Sequence, residues 1–294
     1  TGARRRMMMR GRRMTTLKKS AAAKADAFDQ LDDAAAVLRE GMEDRKAQIT
    51  IYYATTDDNP LEEIAEAAMD ETGAPTQGDY IRWTYEGWEG ELNGYREDGL
   101  YYLTIVYYCA YYTTAKQESE LTERVNNVLA SFDFSADATE YEIISTIYDY
   151  ICANVTYDYD NLNDDDYLLK YTAYAAMMNG TSVCQGYATL LYRMLLQEGV
   201  GCRLIPGGNH AWNIVEINNI YYNVDSTWDS GATPENYAYF LLSDNDFTGH
   251  TRYDDYRTDA FYKAYPMAEL SYAVHSEHDW GQSVISSEPT CTEC

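Results

Sequence analysis

Basic residues are scarce in this sequence beyond its first twenty positions. Residues 1–20 hold eight Lys or Arg and no acidic residue, whereas the remaining 14 basic residues face 48 Asp and Glu, a formal charge of −34. A body this acidic repels nucleic acids and anionic lipid surfaces, which bind clustered positive charge. We therefore expect no nucleic-acid partner and attribute the acidity to solubility in an exposed setting.

Long apolar runs are also missing. The sequence has no stretch of 18 or more apolar residues, although 46% of its residues are hydrophobic and can form a sizeable core. We therefore expect no membrane span. The start, TGARRRMMMRGRRMTTLKKS, has the charge of a signal-peptide n-region, but no apolar segment follows it. Export cannot be inferred from these residues themselves.

Cysteines are few and scattered. Six in 294 residues do not form a dense disulfide framework. Cys291 and Cys294 are the close pair, and with His275 and His278 they give H-x2-H and C-x2-C motifs separated by twelve residues. This spacing fits a zinc site, a disulfide or reduced pair in a tail, or the start of a further module, and the sequence does not choose among them.

Hydrophobic periodicity predicts an α+β protein of four parts. These are a basic, helical N-terminal segment over 1–45, a small α+β domain over 46–132, a larger domain over 133–270 and a tail over 271–294. The predicted elements are helices over 15–45, 60–73, 115–132 and 139–158 and strands at 49–55, 79–88 and 99–114.

The segment DYDNLNDDDY, residues 158–167, resembles a calcium-binding loop only faintly. The glycine and the terminal glutamate of an EF-hand are absent. Calcium binding and a solvated acidic loop are the two interpretations, and the residues favour the second.

The stretch TSVCQGYATLLYRMLLQEG, residues 181–199, predicts an amphipathic helix that opens on a cysteine. Ser182 precedes Gln185 by three positions, the spacing of a capping box, which predicts Ser182 as N-cap and Cys184 in the first turn. Gly199 is expected to end the helix. Gly186 costs about 1 kcal/mol of helix propensity relative to Ala, which indicates that another chain segment approaches closely. The predicted buried stripe is Val183, Tyr187, Leu190, Leu191, Met194 and Leu195.

A thiol in the first turn faces the positive end of the helix dipole and backbone N–H groups without helical partners. Both favour the thiolate, and so a reactive cysteine. The alternative is a buried, inert Cys184. Reactivity requires a partner base.

The base is expected on a β-hairpin. The segments HAWNIVEI and IYYNVDSTW alternate, and Asn218–Asn219 between them suits a two-residue type I′ turn. Asp225 then lies diagonally from His210 on the same face, within reach of a His–Asp hydrogen bond. The turn predicts three cross-strand pairs: Ile217 with Ile220, Trp212 with Asp225, and His210 with Thr227. Trp212 shares that face and is expected to shield the pair from water.

Cys184, His210 and Asp225 together predict a nucleophile, a base and a carboxylate that orients the base. Taken singly, His210 is as well explained as a core histidine and Asp225 as a turn residue. The other histidines, His250, His275 and His278, show no comparable partner in the sequence.

At these residues the sequence resembles the transglutaminase-like superfamily, whose core is related to papain-like cysteine proteases. The resemblance covers about residues 138–250 and is greatest to bacterial, exported members. It rests on SVCQGYATLLYRMLLQEGVGCRLIPG, HAWNIVEINNIYYNVDSTWD, IYDYICANVTYDY and YFLLSDNDF. It implies a catalytic helix packed on an antiparallel sheet, with Cys184 as nucleophile, His210 as base and later acid, and Asp225 as orienter. It also implies an extracellular or cell-surface location.

The sequence departs from animal transglutaminases at the oxyanion site. Gln185 follows the cysteine where those enzymes have Trp, and residues 89–211 contain no Trp. The backbone N–H of Cys184 can supply one oxyanion donor, and Tyr171 or Tyr174 is the candidate for the second. Hydrolysis is therefore at least as well supported as transfer to an amine.

The predicted function is cysteine-dependent acyl transfer from protein or peptide amides, including cell-wall-associated ones, without a cofactor or a catalytic metal. The alternative is a non-catalytic surface-binding module in which the tyrosine-rich part, 46–132, binds a partner. Rapid alkylation of Cys184 at mildly acidic pH would favour the enzyme, and a slow reaction would favour the module.

Overall fold

A computed structural model describes residues 9–16, 24 and 26–272 of the chain. Two compact units follow one another, with the boundary between Thr122 and Glu123. The domain division expected from the sequence stays a prediction. In the described part of the chain, no helix combines the length and hydrophobicity needed to cross a membrane.

The first unit is built on a four-stranded sheet in the order β1-β3-β4-β2. β1 runs parallel to β3, and the other pairs are antiparallel. The strands are β1 (Met9–Thr16), β2 (Gln48–Thr55), β3 (Tyr85–Glu97) and β4 (Leu100–Tyr111), and the helices are α1 (Leu31–Glu43), α2 (Leu61–Ala68) and α3 (Asp79–Thr84). Helix α4 (Ala115–Phe132) crosses the boundary between the units.

Alternation along β4 forms one side of this unit's core. Leu103, Ile105, Tyr107 and Cys109 point inward and are buried, as the two-residue period of a strand requires. The Tyr107 hydroxyl donates to the carbonyl of Leu61 at 2.7 Å, so the one polar atom of that buried ring is satisfied.

Two predictions in this unit are wrong. The helix expected over 15–45 begins only at Leu31, and residues 15–16 belong to β1, which pairs with β3. Residues 17–23 and 25 lie outside the described part of the chain. The strand expected from Asp79 is the helix α3 as far as Thr84. Its buried residues follow helical rather than alternating spacing, because that short segment packs one face into the core: Tyr80, Ile81 and Thr84.

The second unit combines α-helices with a three-stranded antiparallel sheet and several short elements. The sheet order is β7-β8-β9, and β5 pairs with β6 in parallel. The elements are α5 (Glu140–Asn154), β5 (Thr156–Tyr157), a 3-10 turn (Leu168–Tyr171), a π-helix (Ala175–Asn179), β6 (Thr181–Ser182), α6 (Cys184–Gln197), β7 (Cys202–Gly207), β8 (His210–Ile217), β9 (Ile220–Val224), 3-10 turns (Pro234–Asn236 and Asp254–Tyr256) and a short α7 (Asp259–Ala264).

Helix α6 is the buried centre of this unit. All six residues of its predicted apolar stripe are buried, and it packs against β8. On that side Asn213 of β8 donates to the carbonyl of Ala188 at 3.0 Å. The fold is therefore α+β, with a helix packed on an antiparallel sheet, as the sequence predicted.

The hairpin turn is confirmed. Asn218 and Asn219 have φ of 54° and 65°, the left-handed values that a type I′ turn needs, and Ile217 pairs with Ile220. The β8–β9 ladder ends at Asn213 and Val224. The other two predicted pairs, Trp212–Asp225 and His210–Thr227, lie beyond that end and are not part of the ladder.

Candidate active site

Cys184 is the first residue of α6. Its backbone N–H therefore has no partner within the helix, and its side chain lies at the positive end of the helix. The predicted capping box is wrong. The N-cap is Val183, which makes no side-chain cap, and Ser182 belongs to β6 instead. The Ser182 hydroxyl donates to the carbonyl of Lys170 at 2.6 Å, so long-range pairing replaces the local cap.

The close approach predicted at Gly186 is confirmed. A Cβ atom at this position would lie 1.8 Å from Ser182 Oγ and 2.7 Å from the carbonyl oxygen of Thr172. No side chain fits there without a shift of backbone. Glycine thus lets the segments before α6 press against its first turn, which fixes where Cys184 stands.

His210 and Asp225 meet as the hairpin predicted. His210 Nε2 lies 2.6 Å from Asp225 Oδ2, and the Asp225 side chain is completely buried while that of His210 is 18% exposed. Asp225 Oδ1 accepts the backbone N–H groups of Thr227 at 2.9 Å and Trp228 at 3.2 Å. The chain just after β9 therefore holds one carboxylate oxygen and leaves the other for the imidazole.

Cys184 interacts with His210, and its thiol is one of the groups that raise the pKa of this histidine. Because Nε2 of His210 faces Asp225, Nδ1 is the nitrogen left for the thiol. Burial lowers the pKa of His210, but the hydrogen bonds to Asp225 and then to Cys184 outweigh it and raise that pKa to about 10. This environment favours a thiolate–imidazolium pair.

The carboxylate of Asp225 stays ionised. Burial works to raise its pKa, but hydrogen bonds from His210 and then from His250 outweigh burial, and the net pKa is lowered. Asp225 therefore keeps the negative charge that orients the base.

His250 is the site residue that sequence reasoning missed. The expectation that it has no comparable partner is wrong, since its Nε2 lies 2.9 Å from Asp225 Oδ2 and its side chain is 2% exposed. His275 and His278 lie outside the described residues. His250 follows β9 in an irregular segment, and no local pattern in the sequence links it to Asp225.

Two tryptophans flank His210. Trp212 is buried and stacks on it at 6.1 Å between centroids, as the predicted shield. Trp228, which the sequence did not single out, stacks at 5.3 Å and is 45% exposed. One ring therefore closes the site toward the core, and the other borders solvent.

Trp228 is one of the residues that line a cavity of about 630 Å³. Its described lining has no charged side chain and includes Tyr157 and the exposed Tyr159. Burial raises the pKa of Tyr157, and an electrostatic interaction with Cys184 raises it further. The cavity therefore presents uncharged hydroxyl and aromatic groups next to Trp228, which stacks on His210.

In the described part of the chain, the one group with metal-ligand geometry is formed by His210, Asp225 and His250. Its nitrogen and oxygen atoms are already hydrogen-bonded to one another. The acidic loop over 158–167 contributes no residue to this group. It instead surrounds a positively charged side chain of the same protein. The buried Lys170 Nζ donates to the loop carbonyls of Asn161, Leu162 and Asp164. The candidate zinc residues of the tail lie outside the described residues.

Two curated proteins are similar to part of this chain. The mouse and human (Mus musculus and Homo sapiens) kyphoscoliosis peptidases are each 27% identical to this chain, over 146 and 153 residues. These matches cover 44% and 47% of this chain but 21% and 22% of the relatives, so the chain spans about a fifth of their length.

Among solved structures, a TGase crystal structure matches with 14% identity and a TM-score of 0.35, covering 56% of this chain and 57% of that one. The family profile described as the transglutaminase-like superfamily matches residues 130–237, which include all three residues of the predicted triad. The chain therefore contains a transglutaminase-like domain over this range.

Proposed function

We propose that this protein is a cysteine-dependent acyl-transfer enzyme that acts on protein or peptide amides through Cys184, His210 and Asp225. One observation carries the proposal: His210 Nε2 lies 2.6 Å from the buried carboxylate of Asp225, and the partly exposed Cys184 at the start of α6 interacts with the same histidine. A nucleophile, a base and an oriented carboxylate in this order are the parts that acyl transfer needs.

The reaction follows from these positions. His210 takes the thiol proton, and the thiolate attacks the amide carbonyl carbon to form a tetrahedral oxyanion. His210 then returns the proton to the leaving nitrogen as the C–N bond breaks, which leaves a thioester on Cys184. Water or an amine, deprotonated by His210, attacks the thioester and releases the acyl group as an acid or a new amide. The thiol recovers its proton from His210, so the cycle balances.

The oxyanion needs donors near Cys184. Its own backbone N–H, at the start of α6, is suited to be one of them. For the second donor, Tyr171 and Tyr174 stay predictions from the sequence. Tyr157 is an additional candidate, because it interacts electrostatically with Cys184 and lines the cavity at Trp228.

Hydrolysis and transfer share this chemistry and differ in what resolves the thioester. The curated relatives are named peptidases, which favours hydrolysis by this chain. We further propose an extracellular or cell-surface setting with protein or peptide substrates, including cell-wall-associated ones. The strongly acidic composition suits such a setting.

Mass spectrometry tests this function. A glutamine-rich protein is incubated with the enzyme and a labelled primary amine, beside Cys184→Ala and the matched control Cys109→Ala, which removes a buried thiol from the other unit. Label or deamidation on intact chains indicates transfer or amidase chemistry, and cleaved chains indicate a peptidase. Either product must vanish with Cys184→Ala, by about 10⁶-fold in rate, and persist with Cys109→Ala.

Alkylation tests the nucleophile without a substrate. Iodoacetamide should label Cys184 rapidly at mildly acidic pH, because the imidazolium of His210 supports the thiolate. Slow labelling together with no product would contradict the enzyme and leave the surface-binding module.

A further inference from the structure

His250 is a buried histidine that the triad does not need. Its Nε2 lies 2.9 Å from Asp225 Oδ2, and its Nδ1 lies 3.2 Å from the carbonyl oxygen of Thr248. A carboxylate oxygen can only accept here, so Nε2 of His250 is the donor. Burying such a ring is costly unless its polar atoms are paired, and here both nitrogens face an oxygen.

Aromatic rings hold His250 from several sides. Phe247 stacks on it at 3.9 Å, Trp228 lies at 4.2 Å, and Trp212 meets it edge-on at 4.8 Å. Tyr239 contacts it at 5.5 Å. The imidazole therefore has little freedom to turn, and its donor is aimed at one oxygen.

That oxygen is the one that orients His210. Asp225 Oδ2 accepts both His210 Nε2 at 2.6 Å and His250 Nε2 at 2.9 Å, while Oδ1 accepts two backbone N–H groups. Four donors thus fix a completely buried carboxylate. Two histidines also divide the negative charge of Oδ2 between them.

We propose that His250 is a positioning residue of this site: by donating to the oxygen that orients His210, it fixes the Asp225 carboxylate and shares its charge. The inference rests on the proposed function for its catalytic meaning, but the arrangement itself can be measured without a substrate.

The effect on His210 has a definite sign. Without the His250 donor, Asp225 directs more of its charge at His210, which then holds its proton more tightly. A tightly held proton is given up less readily to the leaving amine, so the chemical step slows. The titratable group that interacts with His210, besides Asp225, is Cys184. The groups that interact electrostatically with Asp225 are Tyr148, Cys152, Tyr187 and Asp229.

The test compares His250→Phe, which keeps an aromatic ring and loses the donor, with His250→Gln, whose amide restores a donor. Phe261→Leu is the matched control, since it removes an aromatic ring from the same core cluster, where its ring contacts are with Tyr256, Tyr262 and Tyr265. We measure the His210 titration by NMR of labelled histidine and the pH profile of Cys184 alkylation. His250→Phe should raise the His210 midpoint and the alkaline inflection by about one pH unit.

Activity gives a second signature. His250→Phe should lower kcat about tenfold, the scale seen when a partner that orients a functional side chain is lost, with KM unchanged. His250→Gln should recover most of the loss, and Phe261→Leu should leave both the midpoint and kcat near those of the wild type.

Three results would overturn the proposal. The His210 midpoint in His250→Phe equals or falls below that of the wild type; His250→Gln behaves like His250→Phe; or ring ¹⁵N shifts of the wild type show no hydrogen on Nε2 of His250. The ¹⁵N measurement uses the wild-type protein, so it does not depend on whether any variant folds. If wild-type Cys184 neither alkylates rapidly nor turns over, the proposed function fails, while the His210 titration still decides the role of His250.

Discussion

Each of the two units buries a charged network, and the two networks end differently. In the first unit, Arg45 is 3% exposed and donates to Glu118 Oε1 at 2.8 Å, Thr84 Oγ1 at 3.1 Å, Thr113 Oγ1 at 3.2 Å and the Met42 carbonyl at 2.9 Å. In the second, the network around Asp225 leads through His210 to the partly exposed thiol of Cys184.

The difference separates a structural network from a reactive one. The partners around Arg45 are one carbonyl, two threonine hydroxyls and one carboxylate, and these hydrogen bonds tie α1, α3 and α4 of the first unit together. The set around Asp225 leads to Cys184, which can form one. Of these two buried charges, Asp225 therefore belongs to the candidate active site, because its hydrogen-bond network leads to a partly exposed nucleophile.

The largest expected effect comes from breaking the reactive network at Asp225→Asn. Asparagine keeps the shape but not the charge, and kcat should fall about 10⁴-fold. Because Asp225 raises the pKa of His210, the alkaline limb of Cys184 alkylation should move down from about 10. An unmoved limb would show that Asp225 does not govern the base.

The same variant has a stability signature. A raised histidine pKa stabilises the fold fully below the unfolded value of about 6.5, and this is lost as pH rises to about 10. Wild-type stability should therefore decline across that window. Denaturation of Asp225→Asn should show a flatter profile there.

The next effect comes from breaking the structural network. Arg45→Met leaves Glu118 buried without its charged partner and should destabilise the first unit by about 3–5 kcal/mol, measured by denaturant unfolding. The alkylation rate of Cys184 in folded protein should not change. Lys46→Met is the matched control, because the Lys46–Asp44 pair is exposed, and it should leave stability unchanged. Equal effects of the two variants would contradict the structural role of Arg45.

The smallest effect is expected at a helix end that belongs to neither network. Thr139 Oγ1 accepts the N–H of Glu142 in the capping box of α5. Thr139→Ala should cost about 1 kcal/mol, measured by thermal unfolding, with kcat retained. Ser145→Ala on the same helix serves as the control and should cost less. A loss of kcat in Thr139→Ala would mean that α5 transmits strain to the site.

Local chemistry explains what the sequence could predict. The Asn218–Asn219 turn sets the register of β8 and β9, and the register brings Asp225 to His210. Likewise, Gly186 inside a helical pattern indicates a close approach that the structure contains. In each case a few adjacent residues carry the whole signal.

Tertiary contacts explain the rest. Ser182 has the spacing of a cap, but its hydroxyl is taken by the carbonyl of Lys170. The segment from Asp79 is aromatic like a strand, yet burial of one face makes it helical. His250 reaches Asp225 because the irregular segment that carries it folds back toward the end of β9. No periodicity or turn preference encodes such meetings.

Lys170 places a positive charge inside the acidic loop, whose own residues include no basic side chain. The carbonyls of Asn161, Leu162 and Asp164 converge on that internal cation, in the manner that oxygens converge on a metal. The loop carries its counter-charge on the chain itself. Its shape should therefore persist in the presence of chelators and vary little between calcium-rich and calcium-poor surroundings.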